Sequence, residues 1–396
     1  MTHLPQLLLK KDEDRRLRAG HEWIYSNEVD VARTPLKNLV PGSCVNIARG
    51  DGKIIGSAYV NPHSLICARL YSRKQDTALD QSLVQARIAL ALQWRQRAFS
   101  APYYRLVYGE SDQLPGLIVD RYGDFLVVQI NTAGMERVRN ELIEALVTVL
   151  KPRGILLRND SGAREQEGLS REVVLVYGEF PDRIECEENG ARYELTPFSG
   201  QKTGWFYDHR LNRARAAHYA PGRRVLDVFS YLGAWAMPMA MAGAESVTVV
   251  DSSSDAIKGL LRNAERNGVR DRFEARTGEA QGELKKLIEE KRQFDLIVLD
   301  PPAFVKRKKD LEEGVRAYFH HNQMALRLLA TDGILVSASC SFHLPEEKLI
   351  RIVADAARQL NRPVQLVERG HQGPDHPVHP AIVETDYLKA VFFRVV

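Results

Sequence analysis

The sequence predicts an α/β protein, with an open parallel sheet in its C-terminal part preceded by a small all-β barrel and an α+β middle segment. Three observations predict this. Continuous apolar runs such as Leu296-Ile297-Val298-Leu299 alternate with helix-like segments, and strands buried on both faces belong to parallel sheets covered by helices. Three strand-like runs end in a carboxylate, at Asp227, Asp251 and Asp300. Residues 1–73 instead hold short β-type runs broken by turn residues.

The elements follow in order. In residues 1–73, Val45-Asn46-Ile47-Ala48 leads into the Asp51-Gly52 turn. Ile54 to Val60 is the next strand, Asn61-Pro62 the next turn, and Leu65 to Leu70 the next strand. Residues 74–190 open with an amphipathic helix whose apolar face is read as Leu79, Leu83, Ala86, Ala89 or Leu90, and Trp94, with Arg87, Arg95 and Arg97 toward solvent. A hairpin joins Leu117–Asp120 to Phe125–Ile130, a helix covers Met135–Leu150, and Val173–Tyr177 is a strand. Arg158-Asn159-Asp160-Ser161 is read as a turn. Residues 191–396 carry strands at Arg224–Phe229, Ser246–Asp251, Phe294–Asp300 and Gly333–Cys340. Helices are read over Ala234–Gly243, Asp255–Asn267 (capped by Ser254 or Asp255 and stopped at Gly268) and Tyr318–Ala330.

Composition narrows the function classes. Hydrophobic residues make up 44% and charged residues 27%, which excludes disorder as the default. No apolar run approaches the ~20 residues needed to span a bilayer, and Met1–Lys10 carries no export signal, so a cytoplasmic protein with no membrane partner is expected. The four cysteines form no CxxC pair, which disfavours disulfide and zinc frameworks. Net charge is +4, and residues 1–73 hold 11 Lys/Arg against 7 Asp/Glu, the whole excess. A basic appendage of this kind suits an anionic partner such as RNA as well as a solvated surface. The oligomeric state, including a homodimer, stays open.

The carboxylates point to a cofactor. Ligands of open parallel sheets sit beyond the carboxyl ends of the strands. Asp251 follows Asp227 by 24 residues, the spacing at which an acid takes both hydroxyls of a ribose. The turn between them, Phe229-Ser230-Tyr231-Leu232-Gly233, has one glycine and no G-x-G-x-x-G, so it makes a poor pyrophosphate cradle and argues against a nicotinamide dinucleotide. S-adenosylmethionine carries no phosphate, and one glycine suffices for it.

Asp227-Val228-Phe229-Ser230-Tyr231-Leu232-Gly233, Asp251, Asn263 to Gly268 and Asp300-Pro301-Pro302-Ala303-Phe304 resemble the ordered motifs of class I S-adenosylmethionine methyltransferases, which have a Rossmann-like fold. The upstream Gln201-Lys202-Thr203-Gly204-Trp205-Phe206-Tyr207-Asp208-His209-Arg210 is similar to the lead-in segment of one RNA-modifying branch. That branch is the bacterial 23S rRNA 5-methylcytosine methyltransferases of the large-subunit methyltransferase I family. Pro41 to Val45, Gly56 and Asn61 to Ser64 resemble a PUA domain, the small RNA-binding barrel that this family carries N-terminally. The resemblance implies S-adenosylmethionine as cofactor, held by Asp227, Phe229, Ser230, Gly233, Asp300 and Thr203, with Asp251 on the ribose and Glu279 near the adenine.

The acceptor atom is a separate question. Amino-group methyltransferases use Asn/Asp-Pro-Pro-aromatic, whereas here Ala303 takes the fourth position and Phe304 follows. Carbon methylation at cytosine C5 needs a thiolate to add first to C6. Cys340, in Ser339-Cys340-Ser341, ends a later strand and matches the nucleophile motif of RNA 5-methylcytosine enzymes. The catalytic pair expected is therefore Cys340 and Asp300. The second cysteine that many relatives carry after the Pro-Pro is replaced by Ala303. A guanine or adenine amino-group methyltransferase and a non-catalytic RNA-binding assembly factor are the alternatives. Lys306-Arg307-Lys308-Lys309 and Arg210 are candidate RNA contacts. His371, His376 and His379 lie among prolines and glycines and are read as a structured loop at the substrate entrance rather than a metal site.

Overall fold

The computed structural model describes residues 3–200 and 203–396; Gln201 and Lys202 of the lead-in segment lie outside the described residues. The chain forms two compact units. Met1–Ile184, Thr196–Trp205 and Pro374–Thr385 make the first, and Glu185–Leu195, Phe206–Gly373 and Asp386–Val396 make the second. The segments 1–73 and 74–190 thus fall almost wholly in one unit, and the segment 191–396 contributes two pieces to it.

The first unit contains two five-stranded sheets among its described residues. Gln6–Leu8, Trp23–Tyr25, Cys44–Ala48, Ile54–Val60 and Ile66–Ser72 form the N-terminal one. Its edges meet where Leu9 bridges Val29, flanked by Lys10 N donating to Glu28 O (2.9 Å) and Asp30 N donating to Leu8 O (2.9 Å), which closes the sheet. The second sheet is built from Tyr103–Tyr108, Leu117–Tyr122, Phe125–Ile130, Gly154–Asn159 and Glu172–Gly178, with helices Gln81–Ala98 and Arg139–Leu150 packed on it.

Two expectations are corrected here. The buried stripe of Gln81–Ala98 is Val84, Ile88, Ala91 and Arg95, while Leu90 and Trp94 are exposed. Arg95 is fully buried because Asp112 takes its guanidinium with two bonds of 2.6 and 2.7 Å and the Asp375 carbonyl takes a third of 2.9 Å. Arg158 and Asn159 end a strand rather than make a turn. The Asn159 Oδ1 accepts from Ile130 N at 2.8 Å, and Arg158 donates to the Pro197 and Gly200 carbonyls.

The second unit is built on a seven-stranded sheet, beside a two-stranded one of Ile184–Glu188 and Ala191–Leu195. The strands of the larger sheet are β1 (Arg224–Val228), β2 (Ser246–Asp251), β3 (Phe273–Thr277), β4 (Phe294–Leu299), β5 (Leu329–Ser339), β6 (Val364–Gly370) and β7 (Lys389–Val395). Their order is β3-β2-β1-β4-β5-β7-β6, parallel except for β7. The helices are α1 (Arg210–His218), α2 (Ala236–Met241), α3 (Ser254–Arg266), α4 (Ala280–Glu289), α5 (Leu311–Leu328) and α6 (Glu346–Gln359). Helices α4, α5 and α6 share one apolar core with the sheet, α2 packs against β1 and β2, and α3 packs against β2 and β3. The cap of α3 is Ser253, whose Oγ accepts from Ala256 N at 3.2 Å, one residue before the position expected. Helix α5 starts at Leu311, ahead of the expected Tyr318, with Glu312 and Glu313 in its first turn where the helix dipole favours acids. Among the described residues, no helix is long and apolar enough to cross a membrane.

Candidate active site

Side chains alternate along a strand, so the core assigns each residue of the sheet edge to a face. On β1, Leu226 and Val228 point into the core shared with α4, α5 and α6, which turns Asp227 to the opposite side. On β4, Ile297 and Leu299 point into that core, and Asp300 continues on the face of Asp227. On β5, Leu335 lies in the core and Ser339 Oγ meets Tyr318 Oη of α5 at 2.8 Å, so Ala338 and then Cys340 fall on the face of Asp300. Val298 pairs with Val336, which sets Asp300 beside Ala338 on the neighbouring strand. Asp300 and the half-buried Cys340 therefore end adjacent strands on one side of the sheet.

The β1–α2 turn lies on the same edge. Phe229 (φ 66°), Tyr231 (φ 48°) and Gly233 (φ 84°) have left-handed backbone. For the two non-glycine residues this costs about 1–3 kcal/mol each, a cost that concentrates at functional turns. A Cβ on Gly233 would come within 2.9 Å of Leu260 Cγ. Ser230 is buried, with Oγ donating to Val250 O at 3.2 Å. Asp251 braces the turn: its carboxylate accepts from Tyr231 N (2.8 Å) and Ser253 N (2.9 Å). Glu279 precedes α4 and makes no capping bond, leaving an exposed carboxylate at the end of β3.

Two carboxyls here, Asp227 buried and Asp300 half-buried, have opposite tendencies. Asp227 Oδ2 accepts from Ala236 N at 3.1 Å, while its buried Oδ1 has no partner among the described residues. Burial, with Asp300 nearby, pushes its pKa well above the ordinary value. Burial opposes ionisation of Asp300 too, but His209, the Trp235 N–H and Arg213 outweigh it and hold its pKa below the ordinary value. Trp235 Nε1 donates to Asp300 Oδ2 at 2.9 Å, and His209 Nε2 lies 3.3 Å from Oδ1.

His209, Trp235, Tyr318 and Ser341 were missed as site residues in the sequence. His209 stands in the quoted lead-in segment, and Trp235 stands two residues past Gly233, so position was the available signal. Tyr318 Oη lies 3.2 Å from Ser341 Oγ, which accepts from Val305 N at 3.2 Å. This ties the loop after Asp300 to the strand end that carries Cys340. Phe304 packs with His321 (5.5 Å, rings 27° apart), Tyr318 and Phe229.

Other expected residues sit elsewhere. Thr203 belongs to the first unit, where it is buried and its carbonyl accepts from Tyr122 Oη at 3.1 Å. Arg210, expected at the RNA, is buried instead: its Nε lies 3.5 Å from the buried Glu188 and its guanidinium stacks on Tyr207. Lys306, Arg307, Lys308 and Lys309 are all exposed, with Arg307 paired to Asp310 at 3.0 Å. His371 belongs to the second unit, His376 and His379 to the first, and His376 is buried beside Asp375. Among the described residues, no cluster of His, Cys, Asp or Glu suits a metal ion.

Comparison with known proteins identifies the family. Residues 7–73 match the PUA-like domain family, and residues 170–394 match the S-adenosylmethionine-dependent methyltransferase family. The chain is 35% identical over 398 residues to the ribosomal RNA large subunit methyltransferase I of Shewanella denitrificans, covering 98% of this chain and 99% of the relative. It is 36% identical over 404 residues to the enzyme of that name in Yersinia pestis, with the same coverage. The chain belongs to the ribosomal RNA large subunit methyltransferase I family. A methyltransferase solved with S-adenosylhomocysteine superposes with TM-score 0.85 at 20% identity, over 99% of this chain and 100% of that one. A Streptococcus mutans S-adenosylmethionine-dependent methyltransferase gives 0.83 with the same identity and coverage. These two share the fold. The family's cofactor is S-adenosylmethionine, and the residues present fit it. The orphaned Oδ1 of Asp227 and the braced Asp251 carboxylate offer polar groups beside a turn that has no phosphate cradle.

Proposed function

We propose that this protein methylates C5 of a cytosine in 23S ribosomal RNA, in the cytoplasm, with Cys340 as nucleophile. The observation that carries this reading is the placement of Cys340 and Asp300 on one face at the ends of adjacent strands. The family names support ribosomal RNA of the large subunit as substrate.

Cys340 Sγ forms a bond to C6, and the electron pair moves to C5, which becomes nucleophilic. S-adenosylmethionine would be held by Asp227, Asp251 and the Phe229–Gly233 turn, with Glu279 at the adenine end, and would supply the methyl group to C5, leaving as S-adenosylhomocysteine. Loss of the C5 proton to a base restores the C5–C6 double bond and expels Sγ. Ionised Asp300 accepts hydrogen bonds from the N4 amine and from N3–H once N3 has taken a proton from solvent; addition of the thiolate then neutralises the cationic ring, and N3 returns that proton when Sγ is expelled. The packing of Phe304 against His321 and Tyr318 weighs against its use as the base-stacking aromatic of an amino-group methyltransferase.

Methylation of deproteinised 23S rRNA with labelled cofactor, followed by nucleoside analysis, tests the reading. The label is expected in 5-methylcytidine, and Cys340→Ala is expected to lower the rate by at least about a thousandfold. Label in a methylated guanosine or adenosine, or a wild-type rate from Cys340→Ala, overturns it.

A further inference from the structure

His209 is buried, and its ring is fixed from both sides. Arg215 Nη1, which can only donate, gives a hydrogen bond to Asn212 Oδ1 at 3.0 Å. That assigns Nδ2 as the amide nitrogen of Asn212, which donates to the His371 carbonyl (3.2 Å) and faces His209 Nδ1 at 3.1 Å. Nδ1 must therefore accept, and the ring proton sits on Nε2. Nε2 lies 3.3 Å from Asp300 Oδ1, and no better-aligned acceptor is present among the described residues. The contact is long and imperfectly aligned, as catalytic hydrogen bonds often are before substrate binds. The chain of contacts also needs room: a Cβ on Gly370, at the end of β6, would come within 2.1 Å of Asn212 Oδ1.

Resting on the proposed role of Asp300, we infer that Arg215, Asn212 and His209 form a relay that aims the Asp300 carboxylate at the substrate base and keeps it ionised. His209 is a positioning residue. Its Nε2 faces Oδ1 at 3.3 Å while Trp235 donates to Oδ2, so each carboxylate oxygen meets an N–H from the protein. A tilted carboxylate could not serve N3 and N4 together. The other charged groups facing Asp300 are Arg213 from α1, which favours its ionised form, and Asp227 at the end of β1, which competes with it for the negative charge.

The test compares His209→Phe, which fills the space without a donor, with His209→Gln, which retains one. Calorimetric titration with S-adenosylhomocysteine identifies variants that are folded and competent for cofactor. For His209→Phe, the acid limb of kcat/KM in rRNA methylation is expected to move up by about one pH unit, giving about a tenfold loss on that limb and a smaller loss at alkaline pH. His209→Gln is expected to recover most of the wild-type profile. A His209→Phe variant that binds S-adenosylhomocysteine normally and keeps the wild-type pH profile overturns the relay. So does an equal loss at every pH that His209→Gln fails to rescue. Asp300→Ala, run beside them, separates the two ideas: if it methylates at the wild-type rate, the role of Asp300 has failed rather than the relay. If His209→Phe does not fold, Asn212→Leu carries the same expectation.

Discussion

At the scale of single residues, Asp227 and Asp300 occupy one face of neighbouring strands and cannot share negative charge cheaply in a buried site. The donors around Asp300 decide which of the two ionises. Asp227 has a folded pKa above its unfolded value near 3.8, so its contribution to stability is complete below that value and is lost as pH rises through the folded pKa. Asn at this position keeps the acceptor for Ala236 N and cannot ionise. The Asp227→Asn variant is therefore expected to gain in Tm relative to wild type as pH is raised from about 4 to about 8, measured without cofactor. A Tm difference that stays constant over that range would show that Asp227 does not carry this penalty.

At the scale of elements, the loop after β4 combines a braced base with an exposed cationic tip. Val305 is tied to Ser341, whereas Lys306 to Lys309 reach solvent. If these four cations meet phosphates, replacing all of them by alanine should flatten the slope of log K against log salt for RNA binding by about 3. An unchanged slope would mark them as a solvated loop. The elements also show what the sequence could and could not reveal. Strands β1, β2 and β4 were legible because they are apolar on both faces and each leads to a carboxylate. The edge strand β3 was not, because Glu274 and Arg276 break its apolar run and are satisfied by Arg292 and Glu290. The face of Gln81–Ala98 was misread because a buried arginine looks like a solvent-facing one until its carboxylate partner, Asp112, is known. Cys340 and Asp300 could be matched as motifs, but their common face depends on strand register, and His209 depends on a tertiary contact with Asp300.

At the scale of the whole molecule, the first unit relies on residues far along the chain. Asp375 is buried, with its carbonyl on Arg95 and its Oδ2 accepting from Arg105 N at 3.1 Å, and Tyr108 Oη donates to Thr385 O at 3.0 Å. Arg95 joins Asp112 and Asp375 in one buried node. Arg95→Leu is expected to cost about 3–5 kcal/mol in chemical denaturation, because it leaves Asp112 buried without its cation. Pairing it with Asp112→Leu should restore much of the loss. Equal destabilisation by the single and double variants would place the cost in packing instead.

The strap Pro374–Thr385 also constrains the order of events at the ribosome. Domains ordinarily fold as they emerge, N-terminal first. Here Arg95 lacks its Asp375 partner until the chain has grown by 280 further residues. The contacts that Asp375 makes with Arg95 and Arg105 can therefore form only after strands β1 to β6 of the methyltransferase sheet have been translated.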